Sequence, residues 1–410
     1  FKYIEKMNVL FLALSFSTPF HKSFYEDLLR VFQKNGNHIY VACAKEKRNS
    51  EEIGISDSRG ITVLRISTGN ITGNIGIFEK GISTLTIDLK FKKAIKKYYG
   101  DIKFDLILYP TPPITLVNTI KFVKKKTKAK TYLLLKDIFP QNAVDLGMMG
   151  TKGVKGLIYR HFRNKEKKLY RISDFIGCMS PANVNYVLSH NREISLDKIE
   201  VCPNCLAIPS KIPEFKKINS KIKHRYGIPE GALLFLYGGN LGRPQGIDFL
   251  MRCLEKEKDN KKVFFLIIGQ GSEYNKLKTF IKTQNLFNAK LLAYMPKEEY
   301  QDIADQSDVG MIFLDHRFTI PNYPSRLLNY LASGIPVLLA TDSNTDIGII
   351  AKNNGFGFCC NSNDIEGFAI IVDNFIHADR EAMGRKGWTF LKENYSVENG
   401  YRIIMNHFKS

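Results

Sequence analysis

Three short segments carry the residue types that hold a phosphate: 238–246 (GGNLGRPQG), 269–271 (GQG) and 320–326 (IPNYPSR). A glycine-rich turn lets backbone N–H groups approach an anion with no Cβ in the way, and a helix that follows adds its positive end. A single turn of this kind can equally be a plain chain reversal, whereas three at neighbouring strand ends converge on one place. In the third segment Pro324 and Ser325 suit the first turn of a helix over 324–333, because proline fits where no N–H is needed. Free N–H groups there, the Ser325 hydroxyl and the Arg326 guanidinium together match a diphosphate, with a surface ion pair as the alternative for Arg326.

Such loops need strands and helices to position them. Apolar runs at 233–237, 263–268, 309–314 and 335–340 read as buried strands, with 290–294 as another, and amphipathic helical stretches lie between them. The first half shows the same alternation, with strands at 8–14, 38–42, 106–109, 131–135, 175–179 and 199–202. Strands separated by crossover helices imply parallel sheets covered on both faces. Between 203 and 229 the texture changes to prolines and lysines, which marks a boundary. The expected fold class is α/β, with two doubly wound, Rossmann-like domains over 1–205 and 206–395 and a terminal helix at 396–410 that can pack back on the first. Ligands in such sheets bind outside the carboxyl ends of the strands, so a cleft between two facing domains is the expected site.

The net charge of +20 over 410 residues is uneven. Residues 1–200 hold 34 Lys and Arg against 18 Asp and Glu, an excess of +16, while 201–410 hold 26 against 22, an excess of +4. Tracts such as 121–130 (KFVKKKTKAK) and 160–168 (RHFRNKEKK) would attract an anionic membrane surface or a nucleic acid. No aromatic platform or recognition helix accompanies them, so nucleic acid is not an expected partner. No uncharged apolar run approaches the ~20 residues that cross a bilayer. The run at 9–16 reads as a first strand rather than a signal peptide. Seven scattered cysteines suggest a reducing compartment. Cys202 and Cys205 have metal-like spacing but lack further ligands, so they read as packed thiols.

The segments GGNLGRPQGIDFL, FFLIIGQGSEYNKL, LLAYMPKEEY, DVGMIFL and YPSRLLNYLASGIPVLLA resemble the nucleotide-binding half of family 4 glycosyltransferases of the GT-B fold. FDLILYPTPP and YLLLKDIFPQNAVDLGMM resemble the acceptor half of the subgroup that builds bacterial O-antigen, capsule and colanic acid sugars, N-acetyl-L-fucosamine transferases among them. The resemblance implies a retaining transferase on the inner face of the cell membrane. It would take a sugar from a nucleoside-diphosphate donor, with UDP-N-acetyl-amino-deoxy sugars favoured over GDP-fucose. The implied acceptor is a polyprenyl-diphosphate-linked saccharide, and no metal cofactor is expected. A catalytically inactive relative that serves as a binding subunit is the alternative.

Arg243 and Arg326 are the expected stabilisers of the leaving diphosphate. The expected donor contacts are Gly239, Asn240, Leu241, Gly242, Gln245, Gly269, Gly271, Tyr294, Met295, Pro324, Ser325 and Asn329. Backbone N–H groups of Gly239, Asn240 and Gly242 are the specific candidates. The family commonly has an arginine and a lysine where this chain has Asn240 and Gln245, and two glutamates where it has Pro321 and Asn329. On the acceptor side Asp137 matches an acidic residue of the subgroup and would orient the acceptor hydroxyl, with helix capping as its alternative. His21, Thr111 and Lys136 would line that side.

Overall fold

The structure, a computed structural model, describes residues 6–16, 23–47, 52–70, 77–214 and 218–408, the side chains of 77–85 excepted. The chain forms two compact units, residues 1–207 with 397–410 and residues 208–396.

The first unit runs β1 (Asn8–Ala13), α1 (Phe24–Lys34), β2 (His38–Lys45), β3 (Gly54–Ser58), β4 (Ile61–Ser67), α2 (Ile77–Tyr98), β5 (Leu106–Pro110), α3 (Val117–Thr127), β6 (Lys130–Leu135), α4 (Gln141–Asp145), α5 (Gly153–Ile172), β7 (Phe175–Cys178), α6 (Pro181–His190) and β8 (Ile199–Val201). Among the described residues its eight strands order as β3-β4-β2-β1-β5-β6-β7-β8, parallel except for the β3–β4 hairpin. The central strands β1, β5 and β6 are buried almost throughout, as expected where helices cover both faces. Chain order reverses between β1 and β5, so the carboxyl ends of these two strands flank the switch point. That point lies beside Thr111.

The second unit holds α7 (Ser220–Tyr226), β9 (Leu233–Gly238), α8 (Ile247–Lys256), β10 (Val263–Ile268), α9 (Tyr274–Thr283), β11 (Ala289–Leu292), α10 (Lys297–Ala304), β12 (Val309–Phe313), α11 (Arg326–Ala332), β13 (Val337–Thr341), α12 (Ile347–Asn353), β14 (Gly357–Asn361), α13 (Ile365–His377) and α14 (Arg380–Tyr395). Its six parallel strands order as β11-β10-β9-β12-β13-β14, with the switch point between β9 and β12. Phenylalanines from three strands and two helices, among them Phe235, Phe265, Phe313, Phe368 and Phe375, form its core.

The last helix, α15 (Val397–Met405), belongs to the first unit. Tyr401 meets Phe32 of α1 edge-on at 4.7 Å, and Val397, Ile404 and Met405 join the core of that unit. Just beyond, His407 stacks on Phe175 at 3.7 Å and bonds Glu200 at 2.6 Å. Cys202 and Cys205 are buried free thiols in the same unit, and burial pushes the Cys205 thiol up to about 12.

Candidate functional site

At the switch point of the second unit, β9 ends in Tyr237 and Gly238, and Gly239 then adopts φ +130°, which side chains rarely tolerate. The first loop is strapped to the second. Gly239 donates to the Ile268 carbonyl at 2.9 Å, Leu241 to the Gln270 carbonyl at 2.8 Å, and Glu273 to the Leu241 carbonyl at 2.9 Å. A Cβ on Gly269 would overlap the Gly239 carbonyl oxygen, and one on Gly271 would overlap that of Leu241. Glycine is therefore required at 269 and 271 by contact between the loops, a different cause from approach to a ligand.

The Gly242 N–H donates to Gln245 Oε1 at 3.1 Å, and the same oxygen accepts from Asn240 Nδ2 at 3.1 Å. Two of the three backbone donors expected at a phosphate, those of Gly239 and Gly242, are thus spent inside the loops, and so is the N–H of Leu241. The Leu241 side chain is buried in the core. Asp315, just after β12, fastens the loop from the other side by donating its N–H to the Pro244 carbonyl at 2.9 Å. Its carboxylate pairs with Arg317 at 2.8 Å.

Arg326, the first residue of α11, lies across this strand end with its guanidinium carbon 4.5 Å from the centroid of the Tyr237 ring. Its Nη1 is buried with no hydrogen-bond partner, and among the described residues no carboxylate pairs with it. The surroundings are phenolic. Tyr330 accepts the Gly238 N–H at 3.0 Å and lies 3.1 Å from the Leu236 carbonyl oxygen. Tyr300 of α10 packs so closely on Gly238 that a Cβ there would run into its ring. Burial raises the phenols of Tyr237, Tyr300 and Tyr330 above their ordinary value, so they remain neutral near pH 7 and supply no counter-charge. A half-buried cation without a counter-ion is costly unless an anion joins it.

Other predicted donor residues are less committed. The helix begins at Arg326, so Pro324 lies before it and not in its first turn. Leu327 and Leu328 bond back to the Pro324 and Ser325 carbonyls in a tight entry turn, which displaces the helix start. Ser325 has helical backbone angles and makes no capping bond. Asn329 is half-buried one turn beyond Arg326, and Pro321 is buried. Tyr294 is exposed and Met295 half-buried in the loop after β11. Arg243 is exposed, its Nε 3.9 Å from Glu273 Oε1, a partner 30 residues away in sequence.

Residues 219–388 match the family described as glycosyl transferases group 1. The second unit therefore holds a group 1 glycosyltransferase domain. Among curated proteins the chain is 25% identical over 298 residues, 71% of each chain, to WbjE of Pseudomonas aeruginosa, named as a glycosyltransferase. It is 20% identical over 269 residues, 64% of each chain, to WcaI of Escherichia coli K12, named for glycosyl transfer in colanic acid biosynthesis. Sucrose-phosphate synthase from Thermosynechococcus elongatus superposes with a TM-score of 0.74 at 15% identity, covering 98% of each chain. Anabaena HepE, solved with UDP, superposes with a TM-score of 0.65 at 13% identity, covering 98% of this chain and 99% of its own. These likenesses establish the GT-B fold, and the protein is a glycosyltransferase.

In the first unit of this glycosyltransferase, Thr111 ties the end of β5 to that of β6. Its hydroxyl donates to the Asp137 carbonyl at 3.1 Å and accepts the Lys136 N–H at 3.0 Å. Lys136 Nζ donates to the Cys202 carbonyl at 2.8 Å, and burial lowers its pKa. Both side chains predicted to meet the acceptor are therefore consumed in joining strand ends. Asp137 is different. Its carboxylate accepts from Asn142 Nδ2 at 2.9 Å on each oxygen, and burial raises its pKa, partly offset by the Ile138 N–H and by Asn142. It rests on α4 through a side chain and does not cap that helix, whose N-cap is Pro140. His21 lies outside the described residues.

Proposed function

We propose that this protein is a retaining glycosyltransferase of surface polysaccharide synthesis. It moves a sugar from a nucleoside-diphosphate donor, a UDP-linked N-acetyl-amino-deoxy sugar by preference, to a polyprenyl-diphosphate-linked saccharide at an anionic membrane surface on the cytoplasmic side. The observation that carries the donor half of this reading is Arg326, a guanidinium held against Tyr237 at the switch point of the group 1 domain with its Nη1 unpartnered and no carboxylate beside it among the described residues. The UDP in the HepE complex supports the choice of base, and the colanic acid role in the name of WcaI supports the class of product.

In this reading the bond from the anomeric carbon to the diphosphate breaks while the acceptor hydroxyl oxygen bonds to that carbon on the same face. The hydroxyl proton passes to a diphosphate oxygen. The protein's main task is then to stabilise the charge that grows on the diphosphate, which a preorganised cation does without reorganising. Arg326 would do this, with Ser325 and the Asn240 N–H as adjacent candidates, and Arg243 would leave Glu273 to assist. In this reading the arginines would meet that charge without a metal. Asp137, on the first unit, would orient the acceptor hydroxyl. Titration of UDP and GDP by calorimetry into the wild type and a Ser325→Ala/Arg326→Ala variant tests the donor half: the reading requires a large loss of UDP affinity, and unchanged affinity would remove α11 from the site.

A further inference from the structure

The helices α2, α3 and α5 pack together on one side of the first unit and carry a feature that sugar transfer does not use. Helix α5 buries Gly156, Glu166, Leu169 and Tyr170. On the opposite face, at i, i+3 and i+4, Val154, Leu157 and Ile158 are 76%, 61% and 47% exposed. An apolar stripe facing away from the core is the reverse of an ordinary surface helix. One turn on, at i+7 and i+11, the same stripe continues as His161 and Lys165, which line a cavity of about 400 Å³. Leu89 of α2, 61% exposed, lines it as well.

The cavity is cationic. Lys92, Lys121, Lys125 and Lys165 line it, and among the described residues none of them forms an ion pair. Its one carboxylate, Asp88, is occupied at the start of α3, accepting from Asn118 N–H at 3.1 Å, Thr119 N–H at 2.8 Å and the Thr119 hydroxyl at 2.7 Å. The Thr115 hydroxyl, on a residue 7% exposed, lines the cavity with no hydrogen-bond partner. Four ammonium groups without a carboxylate partner, of which Lys92 lies 5.3 Å from the centroid of the Phe122 ring, and a spare hydroxyl suit a phosphate, and the apolar stripe beside them suits acyl chains.

We propose that this face docks on a membrane containing anionic phospholipid, with Val154, Leu157 and Ile158 in the headgroup–acyl boundary and a headgroup phosphate among Lys92, Lys121, Lys125 and Lys165. Charge complementarity commits the face to lipid, since an apolar protein partner would not call for the four lysines. The proposal rests on the membrane association stated above and gives it a location. An amphipathic surface of this kind binds through buried apolar area plus attraction to anionic headgroups.

The test is co-sedimentation of the full chain with vesicles of phosphatidylglycerol and phosphatidylcholine, or of phosphatidylcholine alone. The wild type should bind the anionic vesicles, less so at high salt. Leu157→Ser/Ile158→Ser and Lys121→Glu/Lys125→Glu should each weaken binding at least tenfold. Lys278→Glu/Lys282→Glu, the same charge change on exposed positions of α9, should leave it within about twofold. Leu157→Trp provides a second readout, a blue shift of its fluorescence with anionic vesicles. If the wild type binds anionic vesicles and both α5 and α3 variants bind equally well, this face is wrong and membrane association stands. If the wild type prefers neither vesicle, both fall. If farnesyl diphosphate in solution binds through Lys121 and Lys125 with no vesicle preference, the cavity serves a soluble diphosphate and the proposal is overturned. UDP titrations on the same samples read the donor site separately.

Discussion

Replacing Arg326 by methionine separates a cation kept for a ligand from one kept for the fold. In the free protein its Nη1 is buried without a partner, which costs about 1 to 3 kcal/mol. Stacking on Tyr237 returns about 0.5 to 2 kcal/mol. Methionine fills much of the same space and leaves no unmet polar group, so the two contributions nearly cancel. Arg326→Met should therefore unfold in urea within about 1 kcal/mol of the wild type. Affinity for UDP should behave differently. Charge-assisted hydrogen bonds to a diphosphate contribute about 1.5 to 3 kcal/mol each, so losing one or two weakens binding roughly tenfold to ten-thousandfold. Calorimetry with UDP and urea titration on the same protein give both numbers. A variant destabilised by more than about 3 kcal/mol that still binds UDP normally when folded would show that the arginine is structural, and the reasoning from its missing counter-ion would fail.

Other consequences follow from single contacts. Gly269→Ala places a methyl against the Gly239 carbonyl, and the loops must part; a loss of about 1 to 3 kcal/mol in urea together with weaker UDP binding is expected. Asp137→Asn should cut turnover with UDP affinity unchanged, measured by UDP release against calorimetry. Because burial raises the folded pKa of Asp137, the stability of the wild type relative to this variant should fall as pH rises from below the ordinary carboxylate value through the elevated one, and then level off. Asp174 has the opposite sign. Burial alone would raise its carboxyl, but Lys124 and the Thr131 N–H and O–H outweigh burial and hold it below the usual value. Its advantage over Asp174→Asn, about 1 kcal/mol, should be full at neutral pH and fade as pH falls below ~4, read from urea midpoints across pH.

The strands that form the sheet centres were legible because each is a continuous apolar run: β9, β10 and β12 are fully buried or nearly so. The hairpin partner β3 was not, since GISDS is mostly exposed and lacks such a run. Nor were β4, whose ITVLRIS is buried at alternating and adjacent positions, and the short β14 with its two adjacent free cysteines. In the site, local pattern located the loops at the strand ends and named Arg326. It could not show why the glycines are needed, because Gly269 meets Gly239 through strand pairing 30 residues apart. Nor could it show that Tyr237, Tyr300 and Tyr330, on three separate elements, surround the guanidinium. The bond from Lys136 to the Cys202 carbonyl was hidden for the same reason, since the two residues are remote in sequence and adjacent in space.

The most direct measurement for the account as a whole is NMR of a reaction containing the protein, a UDP-N-acetyl-amino-deoxy sugar with an α anomeric carbon, and a polyprenyl-diphosphate-linked saccharide. UDP release that depends on the acceptor, with an α linkage in the product, is the predicted result. UDP binding without release from any UDP- or GDP-linked sugar would make the protein a binding subunit, and a β linkage would contradict transfer with retention.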